Sequence, residues 1–149
     1  MKITSRFTVA VHTLLVIYTF GKEQKVTSDF IAASVRVNPV VIRRTLSSLK
    51  AAGMIDVKAG SGGASIVKDL KDITLYDVYA AVDAGSDEKG GLFHFHENPN
   101  PACPVGKNIH AVLDGHLESA QAAMENELKK VTLYDLTQDL KNRFTKFVF

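Results

Sequence analysis

The sequence holds a single cysteine, which excludes an intramolecular disulfide framework and fits a reducing compartment. It also lacks a long hydrophobic run. Val9 to Phe20 is the most apolar stretch, but it is short, Arg6 stands just before it, His12 and Thr13 break its apolar character, and no small-residue cleavage site follows. The expectation is a cytoplasmic protein with no membrane partner. A third absence is local: no acidic residue lies between Asn38 and Ile55, a stretch that carries Arg43, Arg44 and Lys50. That face is suited to an anion.

The 149 residues, 46% of them hydrophobic, are enough for one core, or for a small domain with an appended element. The net charge of +2 conceals an asymmetry. Residues 1 to 70 carry ten Lys/Arg against four Asp/Glu, a net +6, whereas residues 71 to 149 carry eight against twelve, a net −4. This division predicts a polyanion-binding half joined to an acidic half with another task.

The segment NPVVIRRTLSSLKAAGMIDVKAGSGGASIVK, from Asn38 to Lys68, organises the basic half. Asn38 suits an N-cap and Pro39 the first helical position, where a missing N–H costs nothing. Ile42, Leu46 and Leu49 form one apolar stripe, and Gly53 supplies a left-handed stop. Arg43, Ser47 and Lys50 occupy the other face, flanked by Arg44 and Ser48. Beyond Gly53, Ile55 and Val57 alternate with Asp56 and Lys58, and the residues from Ala59 to Gly63 separate them from a second short run, Ala64 to Val67. This predicts a two-stranded hairpin whose glycines admit a phosphate. Upstream, Val26 to Val35 reads as a short helix capped by Thr27 or Ser28, with a tight turn at Arg36-Val37. The order is that of a winged helix-turn-helix.

The first helix is expected from about Phe7 to Phe20, with Gly21 ending it. Lys2, Thr4, Ser5 and Arg6 before it could meet a phosphate, or Ser5 could simply cap. Thr74-Leu75-Tyr76-Asp77 and Thr132-Leu133-Tyr134-Asp135 repeat the same helix-start chemistry, close to a capping box, and convergent capping explains the repeat better than duplication. Gly85 to Ala102 is a polar loop long enough to carry function. Pro104 then opens the longest helix, to about Lys130, spanning about 40 Å at 1.5 Å per residue. Its stripe includes Ile109, Val112, His116, Ala120 and Met124, widened by Leu113 and Leu117. Such a helix outruns its own domain and predicts a partner helix, from a second subunit or from residues 132 to 143.

With SRFTVAVH at the start, TSDFIAASVRVNPVVIRRTLSSLKAAGMI, KAGSGGA and DITLYDVYAAVD in order, the chain resembles the Rrf-two family of bacterial transcription regulators along about its whole length. That family includes iron-sulfur-cluster, nitric-oxide and cysteine-metabolism regulators. The resemblance implies a homodimer bound to a palindromic operator on double-stranded DNA, and the expected role is that of a repressor. It implies a mainly α fold: a winged helix-turn-helix domain over residues 1–84, a possible sensor loop over 85–103 and a helical dimerisation region over 104–149. The DNA-facing candidates are Lys2, Ser5, Arg6 and Ser28, then Asn38, Pro39, Val40, Arg43, Arg44, Ser47 and Lys50 on the recognition helix, then Lys58, Ser61, Gly62 and Gly63 on the wing.

Cluster-binding members hold a [2Fe-2S] centre with three cysteines and a fourth ligand. Here only Cys103 stands near the last cysteine's place, and Gly106 stands where a histidine might follow, so no iron-sulfur cofactor and no metal is expected. His94, His96 and Cys103 share a loop but match no dedicated metal spacing. Cys103, just before Pro104 at a helix N-terminus, is either a thiol sensor or an inert capping residue. Two other function classes remain open: a winged-helix adaptor or a metal- or small-molecule-binding protein without DNA specificity of its own, and a small thiol enzyme using Cys103 with a neighbouring histidine. Neither explains the acid-free basic face. The effector is not legible.

Overall fold

The structure is a computed structural model that describes residues 4–60, 62–83, 92–93 and 95–145. Its elements are α1 (Ser5–Phe20), α2 (Ser28–Val35), α3 (Pro39–Ala51), β1 (Ile55–Lys58), β2 (Gly63–Ile66), a 3-10 turn (Leu70–Asp72), α4 (Leu75–Val82), α5 (Pro104–Lys130) and α6 (Leu133–Thr145). The fold is mainly helical with one antiparallel hairpin, in which Ile55 pairs with Ile66 and Lys58 with Gly63.

Local chemistry sets the boundaries. The Asn38 side chain accepts from the Val40 N–H at 2.9 Å, and Pro39 takes the first turn as expected. At the other end Gly53 adopts φ 77°, and its N–H reaches the Lys50 carbonyl at 2.9 Å while Met54 N–H reaches that of Leu49. This left-handed ending satisfies carbonyls that the helix leaves open. Thr27, not Ser28, caps α2. α1 starts at Ser5, two residues before the expected Phe7, because Thr4 is its cap and accepts from Arg6 N–H at 3.2 Å. Ser5 is therefore the first helical residue and not the cap.

One core unites these elements. Leu14 and Ile17 of α1, Ile31 of α2, and Ile42 and Leu49 of α3 are buried together with Ile55 and Ala64 of the hairpin. Each such aliphatic side chain contributes about 1.5–3 kcal/mol on full burial. Two further ties matter. Asp83, fully buried after α4, accepts from the Thr4 hydroxyl at 2.8 Å and its N–H at 3.4 Å, fastening the end of α4 to the start of α1. Tyr79, also buried, has its phenol pKa raised by burial first and then by Glu125 and Asp83.

The two Thr-Leu-Tyr-Asp segments pair with each other. Each forms a full capping box, Thr74 with Asp77 and Thr132 with Asp135. Between them Thr74 and Thr132 form an antiparallel bridge, with Leu75 N–H donating to the Val131 carbonyl at 2.9 Å and Leu133 N–H to that of Ile73 at 2.7 Å. The symmetry extends outward, since the Lys71 ammonium lies 4.8 Å from the Tyr134 ring centroid and the Lys129 ammonium 4.6 Å from that of Tyr76. Cation–π contacts of this kind stabilise by about 0.5–1 kcal/mol at exposed sites. The repeat is a local clasp that returns α6 to the N-terminal core, where Leu133 is buried.

α5 differs from every other long element: it buries no residue. It packs on α4 and leaves Val105 70% and Val112 63% exposed.

Within the core, the Thr13 hydroxyl is buried with no hydrogen-bond partner among the described residues. An unsatisfied buried hydroxyl costs about 1–3 kcal/mol. Thr13→Val, which keeps the shape and removes the hydroxyl, should raise stability by about 1 kcal/mol in a urea titration; a loss of stability would show that the hydroxyl is satisfied.

Candidate nucleic-acid interface

The buried stripe of α3 determines which of its side chains are free. With Ile42, Thr45, Leu46 and Leu49 turned inward, Arg43, Arg44, Ser47 and Lys50 are exposed. They do not share one surface. Arg43, Ser47 and Lys50 line a groove of about 520 Å³ between α3 and the wing, together with Thr27, Ser28, Lys58, Gly60 and Gly63. Arg44 and Ser48 line a second groove of about 320 Å³ on the other flank of α3, with Arg6 of α1 and Val41. The sequence set Arg44 and Ser48 beside the face of Arg43, Ser47 and Lys50, and the helical turn sends the two sets to different flanks.

At the leading end of α3, Val40 and Val41 are exposed, at 42% and 37%. Neither belongs to the core, and apolar groups at this position can meet a thymine methyl. Asn38 is also exposed, but its side-chain oxygen is committed to capping, which leaves its amide N–H₂ to donate. Pro39 is half-buried.

The wing is fastened more firmly than a free glycine tip. Ala64 N–H donates to the Val26 carbonyl at 2.9 Å, and Gly63, at φ 76°, lies so close to Val26 that an added Cβ would come within 2.9 Å of its nitrogen. Gly63 is thus a strand residue paired with Lys58, and the second strand begins one residue earlier than expected and ends at Ile66. A side chain at Gly62 would collide with Lys58. Lys58 itself is exposed. Lys50 leans towards Asp56 of β1 at 3.8 Å; both are more than half exposed, so the pair contributes little and leaves the ammonium accessible. Lys2, Ser61 and His94 lie outside the described residues.

Sequence reasoning passed over Thr27, Lys22 and Lys25. Thr27 lines the groove beside the wing, while Lys22 and Lys25 border the wing's outer flank with Lys58 and Gly62. The run Gly21-Lys-Glu-Gln-Lys25 was a visible basic signal, but nothing local shows that Val26 would be sewn to the wing.

Cys103 is the exposed N-cap of α5, and its thiol makes no capping hydrogen bond. The backbone N–H groups of Gly106 and Val105 nevertheless favour its thiolate and hold its pKa below the ordinary thiol range. Nearby, His110 Nδ1 lies 3.0–3.1 Å from the two Asp114 carboxylate oxygens, and the His96 ring stands 5.4 Å from that of His110.

No helix among the described residues is long and apolar enough to cross a membrane. Residues 3–139 match the family model Rrf2, described as an iron-dependent transcriptional regulator. The chain is 48% identical over 138 residues to YwnA of Bacillus subtilis, a candidate HTH-type transcriptional regulator, covering 93% of this chain and 98% of that one. A crystallised candidate DNA-binding protein is 44% identical with a TM-score of 0.69, over 89% of this chain and 98% of the other. A candidate transcriptional regulator from Lactobacillus plantarum superposes with a TM-score of 0.73 at 28% identity, over 92% and 90% of the two chains. Two of these relatives are named as regulators of transcription and one as a DNA-binding protein.

The family model's iron does not fit the donors of this chain. Cys103 is its one thiol, and among the described residues no three His, Cys, Asp or Glu side chains converge to hold an ion. A cluster of the kind held by cysteines requires more thiolates than the sequence has. What the match does carry is the architecture and its role: with a recognition helix, a wing and a long second-half helix in the same order as its relatives, the chain belongs to the Rrf2, or Rrf-two, family of transcriptional regulators.

Proposed function

We propose that the protein acts as a homodimeric repressor that binds a palindromic operator on double-stranded DNA. The observation that carries this reading is the placement of α3 between two basic grooves. A helix lying in the major groove has a phosphate strand on each side. Arg43, Ser47, Lys50 and Lys58 serve one strand and the base edges beside it, while Arg6, Arg44 and Ser48 serve the other. Asn38, Val40 and Arg43, near the start of α3, reach base edges. Pro39 fixes the helix entry at that point. Lys58, Gly62 and Gly63, with Ser28, hold the wing on the backbone; Ser5 adds to the Arg6 side.

The second copy is supported by α5. A helix about 40 Å long with no fully buried residue in its own chain has a face to cover. Val112, Leu113, His116 and Ala120 are exposed along it, with Ile109, Leu117 and Met124 half-buried beside them. A partner α5 crossing this stripe would set two recognition helices in two-fold relation, as a palindromic operator requires. Thiol modification at Cys103, at the head of the same helix, would then act on the dimer.

Arg43→Ala should change the preferred sequence, with a loss of about 1–3 kcal/mol at one base position, whereas Lys58→Ala should weaken all sequences alike and reduce the salt slope by about one. Equal salt slopes and unchanged preference in both variants would contradict this division. Val112→Glu should convert the dimer to monomer in analytical ultracentrifugation and abolish operator binding; a dimer that persists would place the interface elsewhere. Because its pKa is lowered, Cys103 should keep its thiolate to lower pH than a model peptide thiol and react faster with iodoacetamide at pH 7. Labelling no faster than the peptide would end the sensor reading.

A further inference from the structure

We propose that the cleft between the C-terminal end of α1 and α6 binds a small organic carboxylate with an aromatic or branched apolar body. The cleft has a volume of about 240 Å³ and is formed by Tyr18, Thr19 and Lys22 on one side and by Thr137, Leu140, Lys141 and Phe144 on the other. Pockets for drug-sized molecules run to about 300–1,000 Å³, so this one suits a smaller metabolite: a ring or branched chain with a short acid arm.

The lining dictates the chemistry. Tyr18, Leu140 and the half-exposed Phe144 offer apolar surface that a ligand would remove from water. Among the described residues the charged groups lining it are the Lys22 and Lys141 ammoniums, with no carboxylate beside them in the lining. Both lysines are exposed, and among the described residues neither has an ion-pair partner. The Thr137 hydroxyl already donates to the Tyr134 carbonyl at 2.7 Å and has no hydrogen left for an anion, so the lysines supply the positive charge that would attract one. A multiply charged ion without an apolar body would leave the aromatic surface uncovered; a neutral hydrocarbon would leave the two cations unused.

The position adds consequence. The cleft joins α1, whose inner face forms the core under α3, to the last helix of the chain. Lys22 also borders the outer flank of the wing, so one residue edges both this cleft and the proposed DNA-binding surface.

The test is titration of the full chain, without DNA, by phenylacetate, followed by amide ¹H–¹⁵N spectra. Saturable shifts gathered on Tyr18, Thr19, Thr137 and Leu140 are expected. Phenylacetamide, which lacks the charge, should bind about twofold to fivefold more weakly, and Lys141→Gln should lower phenylacetate affinity by the same factor, the scale of a solvent-exposed ion pair. Lys107→Gln, on α5, should change nothing, and unchanged melting temperatures would show that both variants fold. Shifts that scatter or fail to saturate, equal binding of acid and amide, or unchanged affinity in both Lys22→Gln and Lys141→Gln would overturn the proposal. Since no DNA is present, neither result bears on operator binding.

Discussion

Burial of Ile42, Leu46 and Leu49 is the constraint on which the rest of the molecule depends. Successive helical residues are turned by about 100°, so once these three point into the core, the directions of their neighbours are no longer free. Arg43 and Arg44, adjacent in sequence, are sent to opposite flanks, one towards the wing and one towards Arg6. The same inward turn leaves Val40 and Val41 outside at the leading end. A basic surface on both sides of an exposed helix thus follows from hydrophobic packing, and the charges merely occupy the places that packing leaves.

Around that helix the chain uses hydrogen bonds to fix what the core alone would leave loose. Ala64 ties the wing to Val26, and the pairing of Lys58 with Gly63 sets where the loop projects. Asp83 ties the end of α4 to Thr4, two residues before Arg6, so the end of α4 is bonded beside one edge of the basic surface. The clasp between Ile73-Thr74 and Val131-Thr132 then brings α6 home after the long excursion of α5. A helix with no fully buried residue is held at its far end by a junction whose Leu133 belongs to the N-terminal core.

Much of this was legible in the sequence where local chemistry decides the outcome. Asn38-Pro39 and Gly53 punctuate the recognition helix because a cap, a missing N–H and a positive φ act within a few residues. Pro104 and the three- and four-residue spacing beyond it placed α5 from Pro104 to Lys130 as it stands. The capping boxes of the Thr-Leu-Tyr-Asp segments were legible as helix starts, whereas their pairing with each other was not, since contact between distant segments leaves no trace in either one. For the same reason the reading missed the fastening of Gly63 against Val26 and the nearness of Lys22 and Lys25 to the wing, whereas the separation of Arg44 and Ser48 from Arg43, Ser47 and Lys50 follows from helical spacing alone. Ser5 was weighed as a cap because Ser and Thr serve equally well; the contact of Thr4 with Asp83, far along the chain, decides between them.

The central claim, that two copies of this basic helix read one two-fold site, is tested most directly by selecting random duplex DNA with the purified, reduced protein and sequencing what it retains. The account predicts enrichment of an inverted repeat whose half-sites are separated by about one helical turn, 10–10.5 base pairs, or a multiple of it. Retention without any enriched sequence, lost uniformly as salt rises, would contradict it.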